Sequence, residues 1–237
     1  MHPLGVHGRP FFKLNIMNEY QSKNIINGQA EVHKNLQKIV KKHIDCDYKK
    51  PMQQHNVVAV ETLKKVIAQQ KKSELLLDSC CGTGLSSIAL AKMYPDSLVV
   101  GVDQSGVRLS KDYQNIVRPP NLLLLQTNCE DFWRLCVEEN ICFDQHTILY
   151  PNPWPKSEHF KRRWHGHPVF PWLAKISPKT HLRSNWSLYL HEFSCAWAVL
   201  TERRFEVQPL SVTEPLTLFE RKYSASGQPL YQLTVEA

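Results

Sequence analysis

Four polar side chains, Asp78, Asp103, Asn128 and Asn152, each stand at or just past the end of a short apolar run. The runs are Leu75-Leu76-Leu77, Leu98-Val99-Val100-Gly101-Val102, Leu122–Gln126 and Phe143–Tyr150. Runs of this kind read as strands buried on both faces, the habit of a parallel sheet. Carboxylates and amides gathered at the carboxyl edge of such a sheet can hydrogen-bond a nucleotide, and that edge is where open α/β sheets take ligands. Between the first two runs lies Cys80-Cys81-Gly82-Thr83-Gly84, where Gly82 and Gly84 let backbone approach a ligand. Asp103 follows at the separation, about 20 residues, from which an acid accepts ribose hydroxyls. The loop does not have the G-x-G-x-x-G spacing of a dinucleotide site.

Tyr150–His167, YPNPWPKSEHFKRRWHGH, joins two further chemistries. Asn152-Pro153-Trp154-Pro155 is a stiff turn, because each proline fixes its own φ, removes a donor and restricts the residue before it. Asn152 is therefore held just past a strand end. The basic half follows, with Lys156, Lys161, Arg162 and Arg163 interleaved with His159, His165 and His167. Such a patch suits phosphates. The expected arrangement is a reactive pocket with a nucleic-acid grip attached.

PNPWPKSEHFKRR resembles the P-D-P-W-x-K-x-x-H-x-K-R-R signature of the tRNA (guanine-N7)-methyltransferases. The loop Asp78–Gly84 is similar to the S-adenosylmethionine loop of class I methyltransferases, with Cys80 for the first glycine. Ser184-Asn185-Trp186 is similar to a T-D-W element, and Thr217-Leu218-Phe219-Glu220 to a T-x-F-E element. The similarity covers roughly residues 74–235. It implies an α/β class I methyltransferase (Rossmann-like) three-layer sandwich, with a mostly parallel sheet and an antiparallel C-terminal edge strand. It also implies methylation of guanine N7 in tRNA, forming 7-methylguanosine. S-adenosyl-L-methionine would be held by Asp78, Gly82, Gly84, Asp103, Asn128 and Asn152. Asn152 would be the catalytic residue. The tRNA would meet Lys156, His159, Lys161, Arg162, Arg163, Asn185, Thr217, Phe219 and Glu220.

The chain departs from the family pattern at Asn128, Asn152 and Asn185, each an amide where the family has an aspartate. Guanine N7 carries a lone pair and no proton, so attack needs no general base. Catalysis then rests on alignment and on stabilising positive charge. Asn152 offers a dipole where an aspartate offers a charge. Two other readings stay open: a methyltransferase acting on an exocyclic amine of the adenine N6 type, and a catalytically impaired RNA-binding homologue.

The elements that must position these residues follow from periodicity. Helices are expected over Gln29–His43, Asn56–Gln70, Leu85–Tyr94, Phe132–Val137, Pro168–Ile176 and Trp186–Leu200, with further strands at Leu182–Asn185 and Phe205–Val207. Leu216–Tyr223 and Leu230–Val235 flank a Ser226-Gly227 turn and read as a terminal hairpin or edge strand. Residues 1–28 read as an N-terminal tail of poor order, and 29–237 as one methyltransferase domain with a helical extension over 29–73. With 29 Lys+Arg against 22 Asp+Glu, the formal charge of +7 favours an anionic partner. No apolar run reaches a membrane span. Seven scattered cysteines without a CxxC pair read as reduced thiols of a cytoplasmic protein, and no His/Cys cluster has zinc-ligand spacing. The oligomeric state is left open, and a monomer is compatible with the sequence.

Overall fold

In a sheet covered on both faces, alternate side chains of every strand must enter opposite cores. The computed structural model describes residues 25, 28–70, 72, 74–111 and 116–237 and shows this division. Strands β1 (Glu74–Ser79), β2 (Ser97–Asp103), β3 (Leu122–Gln126), β4 (Gln145–Leu149) and β5 (Lys179–Ser184) are parallel, while β7 (Tyr231–Glu236) runs antiparallel between β5 and β6 (Gln208–Pro209). The sheet order is β3-β2-β1-β4-β5-β7-β6. Leu98, Val100 and Val102 enter a large core with Leu77, while Val99 and Leu76 enter a small one with Leu90 and Ala91.

The small core lies under α3 (Leu85–Met93). The large core is built with α1 (Leu36–Asp45), α2 (Gln54–Gln70), α5 (Cys129–Glu138), α6 (Phe170–Ile176) and α7 (Ser187–Thr201). A single turn, α4 (Gly106–Leu109), follows β2, and α8 (Leu218–Ala225) precedes β7. Helices on both faces of a mostly parallel sheet give the expected three-layer α/β class. Strand order reverses between β1 and β4, so the carboxyl ends of β1, β2 and β4 border the crevice where such sheets hold ligands. No described helix is long and apolar enough to cross a membrane.

Local differences from the sequence expectations have physical reasons. Leu216–Tyr223 is not a strand: Thr217 Oγ1 accepts from the Glu220 amide at 2.9 Å and starts α8. This T-x-x-E pattern is a helix start signal, and it outweighs the apolar residues. The first helix begins at Leu36, not Gln29, because Gln29 and His33 spend backbone and side-chain donors on Pro155 and Glu192. The sixth strand is not Phe205–Val207 but the two residues that follow, Gln208–Pro209, at the sheet edge, where Pro209 needs no amide donor. The basic run forms two 3₁₀ turns, Ser157–Arg162 and Trp164–Gly166, with Phe160, Arg163 and His165 buried. Of the expected tail over 1–28, all but residues 25 and 28 lie outside the described residues.

Candidate active site

β1 ends in Asp78 and Ser79, both buried. Asp78 accepts hydrogen bonds from Ser86 Oγ (2.6 Å), Ser87 Oγ (2.7 Å) and Thr147 Oγ1 (3.2 Å). Burial pushes its carboxyl up, and these hydroxyls offset that only in part. Asp78 thus ties α3 and β4 to the end of β1, where the glycine loop begins. The loop turns through Gly82 at φ +63° and Gly84 at φ +79°, values that favour glycine. A Cβ on Gly84 would come within 2.9 Å of Leu124 Cδ1, so close packing against β3 also requires this glycine. On Gly82 a Cβ would meet only Arg108 Nη1, at 3.9 Å, which leaves the space above the loop bounded by one flexible cation.

Asp103 stands at the end of β2 and is 2% exposed. Its Oδ2 accepts from the Gly82 amide (2.9 Å), and its Oδ1 from the Ser105 amide (2.8 Å) and Arg108 Nη2 (2.9 Å). Arg108 is itself 46% exposed. A hydroxyl-bearing ligand can replace that one contact while the backbone bonds hold the carboxylate in place. Asn128 is the N-cap of α5 and accepts from the Asp131 amide at 2.9 Å. Its Nδ2 has no partner among the described residues, so a donor remains available at the end of β3. Buried Asn56 sets this corner: its Oδ1 accepts from Thr127 Oγ1 (2.8 Å) and the Asn128 amide (3.2 Å), and its Nδ2 donates to Asp131 (2.7 Å). Sequence reasoning read Asn56 only as a helix start; a polar residue leading an apolar helix face was the available signal.

The Asn152 turn leaves β4 beside these loops. Tyr150 takes φ +51° and Trp154 φ +45°, a backbone that side chains rarely adopt. Asn152 is exposed, its Oδ1 accepts weakly from the Trp154 amide (3.4 Å), and its Nδ2 is unengaged among the described residues. Tyr150 donates to buried Glu220 at 2.8 Å, and Arg183 pairs with the same carboxylate at 2.9 Å. Burial, then the Glu220 hydrogen bond, pushes the Tyr150 phenol up. Tyr150 also packs on Tyr223 (5.6 Å), which stacks on Phe219 (6.1 Å). Phe219, 54% exposed, thus ends an aromatic line leading from the turn to the surface.

The structure separates the residues expected to meet substrate. Lys156, Lys161 and Arg162 are exposed, and none has an acidic partner among the described residues. Arg162 lies over the Trp154 ring (4.7 Å), and His159 meets that ring edge-on (5.7 Å). Asn185 donates to Gln228 at 2.9 Å near the end of α8. Arg163, expected on phosphate, is corrected: it is 0% exposed and paired with Glu192 inside the protein. Glu220, expected on substrate, is also 0% exposed and is filled by Tyr150, Arg183 and the Leu216 amide (2.6 Å). Thr217 is the cap of α8. Two thiols missed as a pair, Cys80 and Cys129, sit 3.4 Å apart beneath the loop; their mutual hydrogen bond and then burial keep the Cys80 thiol protonated.

A family profile described as putative methyltransferase matches residues 72–233. The chain belongs to this family. The chain is 28% identical over 161 residues to the tRNA (guanine-N(7)-)-methyltransferase of Aquifex aeolicus, covering 64% of the chain and 52% of that protein. It is 32% identical over 108 residues to the protein of the same name from Neorickettsia sennetsu, covering 44% and 48%. The chain thus spans about half the length of these curated relatives. Among solved structures, a 16S rRNA methyltransferase superposes with TM-score 0.54 at 18% identity, covering 79% of this chain and 94% of that one. A variant 16S rRNA (adenine(1408)-N(1))-methyltransferase from Catenulisporales acidiphilia, solved with its cosubstrate SAM, gives TM-score 0.52 at 17% identity, covering 73% and 90%. At these identities the likeness concerns the fold alone, the class I methyltransferase arrangement.

Proposed function

We propose that this methyltransferase acts on guanine N7 in tRNA, with S-adenosylmethionine as cofactor and 7-methylguanosine as product. The carrying observation is the exposed Asn152 amide, held past the end of β4 with a nucleotide-type loop on one side and Lys156, Lys161 and Arg162 on the other; among the described residues its NH2 is unengaged and those three cations have no acidic partner. The names of the curated relatives support the same reading.

The residues present fit the cofactor by their chemistry. Asp103 would take the ribose hydroxyls in exchange for Arg108, the Gly82–Gly84 backbone would border the ligand, and Asn128 Nδ2 would donate to the adenine edge. When bound, S-adenosylmethionine supplies an electrophilic sulfonium methyl. Guanine N7 brings its own lone pair, so the protein's task is orientation and not proton removal. Asn152 can hold the purine through its amide and present a carbonyl dipole to the ring as it becomes cationic. Lys156, Lys161 and Arg162 would meet tRNA phosphates. α1 extends that surface: His43 Nε2 meets the Gly166 carbonyl at 3.2 Å, and burial, helped by the smaller effects of the Lys161 and Lys42 charges, lowers its pKa. A cytoplasmic location belongs to the same proposal.

The test is nucleoside analysis of tRNA incubated with the protein and methyl-labelled S-adenosylmethionine. Label in 7-methylguanosine is expected. Label in N6-methyladenosine would transfer the reading to exocyclic amines. Cofactor and tRNA binding without label in any nucleoside would mark an RNA-binding homologue that has lost transfer.

A further inference from the structure

The Asn152 turn cannot hold itself. Pro151, Pro153 and Pro155 have no amide hydrogen, so the turn must be fixed through its carbonyls. Three consecutive carbonyls are fixed in this way. The Trp154 carbonyl accepts from both Nε (3.1 Å) and Nη2 (3.0 Å) of Arg163, and the Lys156 carbonyl accepts from Nη2 at 3.3 Å. The Pro155 carbonyl accepts from the Gln29 amide at 2.9 Å. Nη1 of Arg163 goes to Glu192, and the guanidinium lies over the Trp186 ring at 5.0 Å. Glu192, on α7 and fully buried, also accepts from His165 Nε2 (3.0 Å), the His33 amide (2.8 Å) and Gln29 Nε2 (2.6 Å).

We infer that Arg163 and Glu192 are positioning residues for the transfer: a buried clamp that holds Trp154 in its positive-φ conformation and thereby aims Asn152. A strained backbone persists only where its surroundings over-determine it, and Trp154 is the residue whose carbonyl receives two donors from one rigid fork. Glu192 orients that fork and ties it to the segment before α1. A lysine at position 163 would keep the charge opposite Glu192 but has no planar fork.

The inference rests on the transferase reading, and its test separates the two. kcat, KM for tRNA, melting temperature and amide exchange over residues 150–156 are compared for wild type, Arg163→Met, Glu192→Gln, the double variant and Arg163→Lys. Each single neutral variant should melt earlier. The double variant removes both charges, so its melting temperature should recover. Its kcat should stay at least tenfold low, with tRNA KM within twofold of wild type and faster exchange at Asn152 and Trp154. Arg163→Lys should fold like wild type and lose kcat at least fivefold without a change in KM. A double variant that regains both stability and kcat, or an Arg163→Lys protein with full kcat, overturns the clamp. A weaker tRNA affinity with a shallower salt slope in Arg163→Lys would also overturn it, by making Arg163 a phosphate ligand. A wild type that methylates no tRNA defeats the transferase reading instead, and the exchange comparison then decides the clamp alone.

Discussion

Asn152 stands between two buried carboxylates that are built differently. Upstream, Glu220 accepts from a phenol, a backbone amide and Arg183, whose side chain is 25% exposed. Downstream, Glu192 is paired with Arg163 and His165, and all three side chains are 0% exposed. The upstream anchor joins the turn to α8 and its exposed Phe219, so it lies where substrate would approach. The downstream anchor joins the turn to the interior of α7. One end of the turn is tied to a buried carboxylate whose cation is partly exposed and the other to a pair wholly in the core, which is the arrangement expected of a rigid support with one yielding side.

The largest expected effect would break this contrast if it failed. Glu192→Ala strands a buried guanidinium and should destabilise by about 3–5 kcal/mol in chemical denaturation. Glu220→Ala should cost less, because Arg183 can turn to water. Equal costs would remove the distinction.

Next comes Asn152 itself. Asn152→Ala should lower turnover at least tenfold, about 1.4 kcal/mol of barrier, with smaller changes in cofactor and tRNA binding. Asn152→Asp should hold or raise turnover, since a carboxylate favours the cationic product. A folded Asp variant that binds both ligands and transfers nothing would favour the exocyclic-amine reading.

Glu192 also carries a pH signature. Burial pushes its carboxyl up, but the hydrogen bond from His165 and the charges of His165 and Arg163 hold it down, to about 2 against an ordinary 4.5. A depressed carboxylate contributes stability that is complete above pH 4.5 and lost as the pH falls toward 2. Glu192→Gln should flatten the stability curve in that window, whereas a curve of unchanged slope would remove Glu192 as its source.

Among smaller effects, Thr217→Ala removes the α8 cap and should cost about 1 kcal/mol, read by thermal melting, with little change in kcat if the upstream anchor tolerates motion. Replacing Lys161 and Arg162 with alanine should reduce the salt slope of tRNA binding by about one unit per lost contact, without moving cofactor affinity. An unchanged slope would return both to ordinary solvated surface.

Much of the sheet was legible in advance. Leu122–Gln126 is legible to its observed bounds, and β1, β2 and α3 to within a residue or so at each end, because buried parallel strands are apolar runs and glycines mark the turn between them. α8 was missed although its Thr217–Glu220 cap was visible, since apolar alternation was weighed above a start signal. β5 was read short because Lys179 and His181 mask its alternation, in which Thr180, Leu182 and Ser184 are buried.

That polar groups line one sheet edge follows from the order of residues alone: Asp78, Asp103, Asn128 and Asn152 are placed by strand ends, and strand ends are local facts. The same order places a cationic run after Asn152. Which of those cations face solvent depends on packing between segments distant in the chain. Lys161, Arg162 and Arg163 are neighbours of similar chemistry, and nothing within the run distinguishes them. Arg163 is drawn inside because Glu192, 29 positions away on α7, waits there with no other permanent cation among the described residues to pair it. Burial of a charge depends on finding its partner in space, and that partner is set by how α7 packs on the sheet and not by any spacing along the chain.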